Sequence, residues 1–168
     1  KAAGSGISTI RFINDASNNT VQYCTIKGAE ASITSGIIFF STGVITGNNN
    51  NTIANNNITG ASTISRSIIG IYSLGTSAVI PNNNGTISNN NIYDFFNSGT
   101  TSYGVNLSNY TTAWNVTGNS FYETTSYAPI GTGYCYPIYV SSPLGENFSI
   151  SNNYIGGSAP HCAGNPWT

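Results

Sequence analysis

Five stretches of this 168-residue chain superimpose without gaps: residues 18–28 (NNTVQYCTIKG), 50–60 (NNTIANNNITG), 84–94 (NGTISNNNIYD), 113–123 (AWNVTGNSFYE) and 147–157 (NFSISNNYIGG). The β-branched anchors Val21, Ile53, Ile87, Val116 and Ile150 stand 32, 34, 29 and 34 residues apart. Few folds use the same residue types at the same offsets in five successive units. Such internal repetition is the signature of a solenoid, whose units cannot bury their apolar sides alone.

The columns inside the repeat specify its shape. Five residues after each anchor comes a second apolar position, Ile26, Ile58, Ile92, Phe121 and Ile155, and one residue before it a small polar one, Thr20, Thr52, Thr86, Asn115 and Ser149. A strand alternates its faces with period two, so the anchor points in and the flanking polar residue out. The odd spacing to the second apolar column means that the alternation breaks between them. A turn at Cys24, Asn56, Asn90, Asn119 and Asn153 would break it, because asparagine tolerates left-handed backbone and bonds to local backbone groups. Cys24 at this position reads as a buried free thiol.

A further strand is expected after a variable loop, with Ile10 and Phe12, Ile37 and Phe39, Ile71, Val105 and Leu107, and Ile138 and Val140 turned inward. Stacking the units about 4.8 Å apart would pair each strand with its equivalents and leave a column of asparagines as an amide ladder. Helix has no comparable support, since apolar spacing of three and four is nowhere sustained. The expected architecture is therefore all-β, a right-handed parallel β-helix of about five coils, with Val21, Ile53, Ile87, Val116 and Ile150 as one buried file. A sandwich of short antiparallel strands is the rival fold. Residues 1–168 read as a single domain, expected to be a segment of a longer repeat protein.

Charge is nearly absent, and that narrows function. Lys1, Arg11, Asp15, Lys27, Glu30, Arg66, Asp94, Glu123 and Glu146 are the only charged residues. They form no basic stripe for nucleic acid or anionic lipid. The 67 Asn, Ser and Thr residues must supply solubility, while 39% hydrophobic content separates the chain from a disordered polar tract. No apolar run is long enough to insert in a membrane. No metal-ligand spacing or cofactor motif is present.

Chemistry has few candidates. Asp94 and Glu123 occupy matching repeat positions beside the matched Tyr93 and Tyr122, where other units carry Gly28, Gly60 and Gly157. Two carboxylates about 5 Å apart suit a retaining glycosidase, whereas two solvated loop-edge residues would do nothing chemical. His161 lies outside the repeat without a carboxylate to orient it. Cys135 and Cys162 form a disulfide candidate in an oxidising compartment. Aromatic residues crowd the second half (Tyr72, Tyr93, Tyr103, Tyr110, Trp114, Tyr122, Tyr127, Tyr134, Tyr136 and Tyr139), either capping core edges or stacking on sugars. Among these Tyr93, Tyr122, Trp114 and Tyr110 are the candidates for binding. Asn-x-Ser/Thr occurs at Asn18, Asn50, Asn57, Asn84, Asn106, Asn109, Asn115 and Asn147.

The Asn-x-Thr-Ile-x-x-Asn-x-Ile pattern, followed by Gly70-Ile71-Tyr72, resembles β-helix repeats of the pectate-lyase-like superfamily and of periplasmic NosD-type proteins. With SNNYIGGSA at 151–159 it is also similar to repeat regions of very large secreted bacterial surface proteins. That resemblance covers residues 5–157 and implies an extracellular or cell-surface location. The scaffold hosts enzymes, adhesins and inert stalks alike. The expected role is a non-catalytic structural or adhesive module, its partners being surface glycans or further β-helix repeats of the same chain. A polysaccharide-active lyase or hydrolase is the alternative. Ice binding through the outward hydroxyl column is a third.

Overall fold

The computed structural model describes residues 7–126, 130 and 133–167. Its strands fall into five rungs. The first rung is β1 (Ile10–Phe12), β2 (Thr20–Gln22) and β3 (Thr25–Gly28); the second is β4 (Ile38–Phe40), β5 (Thr52–Ala54) and β6 (Asn57–Gly60). The third is β7 (Ile69–Ser73), a two-residue β8 (Asn82–Asn83), β9 (Thr86–Ser88) and β10 (Asn91–Tyr93). The fourth is β11 (Ser102–Leu107), a two-residue β12 (Thr111–Thr112), β13 (Asn115–Thr117) and β14 (Ser120–Tyr122). The fifth is β15 (Cys135–Val140), β16 (Ser149–Ser151) and β17 (Tyr154–Ile155). Each rung adds one strand to each of three five-stranded sheets, β1-β4-β7-β11-β15, β2-β5-β9-β13-β16 and β3-β6-β10-β14-β17. Neighbouring strands are parallel throughout. The fold is an all-β parallel solenoid of about four full turns.

The anchors stack as expected: Val21 lies on Ile53, Ile53 on Ile87, Ile87 on Val116 and Val116 on Ile150. Only the three inner members are sealed, each at 0% exposure; Val21 is half-buried and Ile150 is 47% exposed. The file is buried where rungs lie on both sides. Ile26, Ile58, Ile92 and Phe121 line the same core, which also takes the stacked rings of Phe12 and Phe40, 4.3 Å apart.

Three expectations need correction. In the second rung Ile38 and Phe40, not Ile37 and Phe39, continue the inward file, because Ile38 pairs with Ile10 and Ile71. Ile37 occupies the bend before the strand, its amide on the Ile69 carbonyl at 3.0 Å, so two successive isoleucines are buried and alternation starts one residue late. Phe39 faces outward and stacks on Tyr72 at 5.3 Å.

The second correction concerns the turn. Positive φ belongs to the residue before the asparagine column, namely Tyr23, Asn55, Asn89, Gly118 and Asn152, at +54° to +67°. The asparagine column itself is free to point its amides along the stack. A second left-handed column, Asn18, Asn50, Asn84, Ala113 and Asn147, opens each anchor strand at +54° to +61°. Four of the Asn-x-Ser/Thr matches thus follow from backbone needs: an asparagine where φ is positive and an outward hydroxyl at Thr20, Thr52, Thr86 or Ser149 two residues later.

Third, Cys24 is exposed, not buried. It lies in the first rung, where no rung precedes it among the described residues, and its thiol turns back to the Gln22 carbonyl at 3.2 Å.

The asparagine ladder is complete through the middle. The backbone N–H groups of Cys24, Asn56, Asn90 and Asn119 donate to the side-chain oxygens of Asn56, Asn90, Asn119 and Asn153 respectively, at 2.9–3.0 Å. Each amide nitrogen returns a bond to a carbonyl of the rung before, Val21, Ile53, Ile87 or Val116, at 2.8–2.9 Å. Buried polar groups are thereby matched without a charge.

Candidate functional site

The charged residues that matter come together at one corner of the solenoid. Because Tyr93 lies between Thr59 and Tyr122, the next residues, Gly60, Asp94 and Glu123, fall one above another. The missing side chain of Gly60 leaves space beside Arg66, whose Cα lies 3.2 Å from where a Cβ would stand. Arg66 comes from the loop between β6 and β7. It enters between the two carboxylates, its Nη2 3.6 Å from Asp94 Oδ1 and its Nη1 paired with Glu123 Oε2.

Each polar group there has several partners. Arg66 also donates to the carbonyls of Thr63 and Phe96 and to the Thr125 hydroxyl, at 3.2–3.3 Å. Glu123 Oε1 accepts the Phe96 amide at 3.0 Å, and Asp94 accepts the amide and hydroxyl of Thr124 at 2.8–2.9 Å. Asp94 and Glu123 are 8% and 7% exposed, so the expectation of solvated loop-edge residues is overturned. Guanidinium and backbone donors draw them inside, since a carboxylate can be buried only when paired and hydrogen-bonded. Burial pushes the Glu123 carboxyl up to about 7, against the lowering influence of Arg66 and the Phe96 amide.

Beside this cluster opens a cavity of about 540 Å³, lined by Phe96, Glu123, Thr124, Thr125, Ser126, Cys135, Ser158, Asn165, Pro166 and Trp167. One indole, one phenyl ring and several short hydroxyl and amide groups face a common space. That is the composition of a small-ligand site, apolar walls with a few polar groups that fix orientation. Burial and the nearby Glu123 push the Cys135 thiol up to about 12, which leaves it protonated and a poor nucleophile.

The sequence-derived candidates scatter. Tyr93 and Tyr122 are stacked on each other at 4.9 Å, and Tyr122 is buried, which with neighbouring Tyr93 and Asp94 raises its phenol to about 12. Trp114 is withdrawn from the binding candidates: its indole is fully buried, edge-on to Phe40 at 4.8 Å, with Nε1 donating to the Asn82 carbonyl at 3.0 Å. It enters the core because Gly85, one rung below, has no side chain where the ring lies. Tyr110 is half-buried beside a small cleft with Asn109, Pro143 and Leu144. Cys135 and Cys162 are separate free thiols. His161 is exposed, its ring 4.7 Å from that of Tyr154.

Of the tyrosines, Tyr127 lies outside the described residues. Tyr103, Tyr136, Tyr139 and Tyr134 form a continuous group on the outer side of the β11–β15 sheet, ring centroids 5.1–6.1 Å apart. Only Tyr103 and Tyr136 are stacked face to face; the other contacts are tilted, and Tyr134 is largely exposed.

Sequence reasoning missed Arg66, Phe96 and Trp167. The available signal for Arg66 was its solitude, one cation in a loop of small neutral residues. No known protein family, curated protein or solved structure matches this chain.

Proposed function

We propose that this chain is a non-catalytic extracellular module, a right-handed β-helix of the pectate-lyase-like kind that acts as a rigid structural or adhesive element and contacts surface glycans weakly. The observation that carries the reading is the cavity at the Arg66 corner, where Trp167 and Phe96 stand among Thr124, Thr125, Ser126, Ser158 and Asn165. A sugar ring stacks on an aromatic face and exchanges hydrogen bonds with short hydroxyls and amides, which is what this lining offers. The one carboxylate in its wall, Glu123, is held by Arg66 and the Phe96 amide, which supports a positioning role over an acid-base one. Weak contacts suffice when modules repeat along a rod, because effective concentration multiplies them.

Glycan-array screening of the folded chain tests this directly. Binding is expected, weak and reduced at least tenfold by Trp167→Ala; no binding to any glycan leaves only the structural role.

One observation favours the enzyme alternative, the raised Glu123 carboxyl beside a cavity. Incubation with pectin, alginate and other polysaccharides decides it. New reducing or unsaturated ends that disappear in Asp94→Asn or Glu123→Gln would replace the binding reading with a catalytic one.

A further inference from the structure

In β11 the alternation of faces is interrupted once. Gly104 faces the core, since a Cβ there would lie 2.6 Å from the Phe121 ring, and Val105 beside it is buried in the same core. Two successive inward positions put Tyr103 and Asn106 together on the outer side, where strict alternation would have separated them. The next rung copies the arrangement, so Tyr136 lies on Tyr103 and Tyr139 on Asn106.

Asn106 is short, and the Tyr139 ring reaches across it to Tyr103. Three rings therefore meet in a closed triangle. Tyr103 and Tyr136 stack at 5.5 Å, while Tyr139 is tilted against Tyr103 at 5.3 Å and against Tyr136 at 5.1 Å. Tyr134, 64% exposed, stands 6.1 Å from Tyr136. Partial burial, and then the phenols of Tyr139 and Tyr136, hold the Tyr103 phenol above its usual range, so the three oxygens share one environment. Packing alone does not call for these hydroxyls, since Phe39 stacks on Tyr72 on the same side of the sheet without one.

We propose that Tyr103, Tyr136 and Tyr139 form an oxidative cross-linking site, at which hydrogen peroxide turned over by a haem peroxidase joins Tyr103 to Tyr136 or Tyr139 and clamps the fourth rung to the fifth. Each of two phenols gives one electron to the oxidant and its hydroxyl proton to water. The resulting phenoxyl radicals carry spin at their ortho carbons, and a bond forms between one ortho carbon of each ring. The two ortho hydrogens then leave as protons and the two oxygens take protons back. The product has lost two hydrogens and kept both hydroxyls, and one peroxide is reduced to two waters. Rings already in contact couple without a diffusional search. Tyr134 offers the oxidant an exposed ring, which an electron from Tyr136 refills. The bond takes the place of a disulfide, because Cys24, Cys135 and Cys162 are all free. Tyr93 and Tyr122 lie closer, at 4.9 Å, but Tyr122 is 6% exposed and cannot release its proton to water, so this pair is spared. The inference is independent of glycan binding.

Dilute protein treated with a haem peroxidase and limiting hydrogen peroxide tests it, with cross-linked peptides mapped by mass spectrometry. The expected product is a monomer lighter by two hydrogens, showing dityrosine fluorescence, in which Tyr103 is joined to Tyr136 or Tyr139. That bond closes a loop of about 34 residues and should raise the melting temperature by about 10 °C, as a disulfide of that span would. Tyr103→Phe keeps the ring and should lose both the link and the rise. In urea, where the rungs come apart, Tyr103 should couple no more than Tyr23 does. A main link at Tyr93–Tyr122, one confined to the fifth rung, or one between molecules overturns the proposal. So does an equal yield of the Tyr103 link in urea, or no link under conditions that couple free tyrosine. Should Tyr103→Phe fail to fold, the mapped link and the urea comparison decide the matter.

Discussion

Two buried polar columns run through this solenoid, and they are built on opposite principles. At the asparagine turn, neutral amides repeat rung after rung, each oxygen accepting from below and each nitrogen donating in both directions. At the loop corner, Arg66, Asp94 and Glu123 come from three different loops and satisfy one another once, without repetition. Amides can be stacked at strand spacing because like neighbours attract through matched dipoles. Carboxylates cannot, so Asp94 and Glu123 in adjacent rungs require a cation between them. A repeated column needs amides, whereas a charged one can be made only locally and with a specific partner.

The largest effect should come from the charged corner. Arg66→Met leaves two buried carboxylates without their cation and is expected to cost about 3–5 kcal/mol, read from chemical denaturation. A loss below about 1 kcal/mol would mean that the carboxylates reach water and that the corner is not a buried network. Replacing Asp94 and Glu123 by Asn and Gln in the Arg66→Met background should recover much of the loss.

The ladder should break less severely and in a position-dependent way. Asn90→Leu is more apolar and similar in size, yet it strips the acceptor from the Asn56 turn and should destabilise by about 1–3 kcal/mol. An unchanged melting temperature in this variant would show that the amide column is ornamental.

Asn153→Leu sharpens the contrast within the column. Asn153 serves Asn119 through the same geometry but sits half-exposed at the rim, where water can replace the lost acceptor. The expected loss is about 1 kcal/mol or less. Parity with Asn90→Leu would show that water at the half-exposed position does not replace the lost acceptor.

The smallest expected effect is on pH dependence. Burial raises Glu123 from 4.5 to about 7, so the folded state holds its proton more tightly than the unfolded one. Its contribution to stability is then fullest below about 4.5 and declines as pH rises towards 7. Glu123→Gln should flatten that decline, measured as melting temperature against pH. A wild-type minus variant difference that instead rises with pH through about 4.5 would place Glu123 as an ionised partner of Arg66, and one that does not vary with pH would mean that folding leaves its proton affinity unchanged.

Most of the fold was legible because a solenoid writes its register into the chain. The spacing of Val21, Ile53, Ile87, Val116 and Ile150 announced one file, and the asparagines announced a ladder, since identical neighbours in space come from identical offsets in sequence. Where alternation stops at a bend, as at Ile37, or where the turn residue precedes the ladder residue, as Asn55 precedes Asn56, a pattern of apolar positions fixes the strand only to within one residue. Cys24 was misplaced because its column is buried only where a rung lies on each side.

The site was far less legible. Asp94 and Glu123 could be matched by position, but nothing in the repeat pointed to Arg66, which belongs to a loop of irregular length. Trp114 and Trp167 show the same limit, since aromatic content alone suggested binding while Gly85 sends one indole into the core and the cavity wall takes the other. The sequence by itself determined the stacked parallel architecture, its core files and its amide ladder, which depend on periodic local choices. Only the tertiary structure decided which charges meet and which aromatics stay exposed, because those depend on non-repeating loops brought together across rungs.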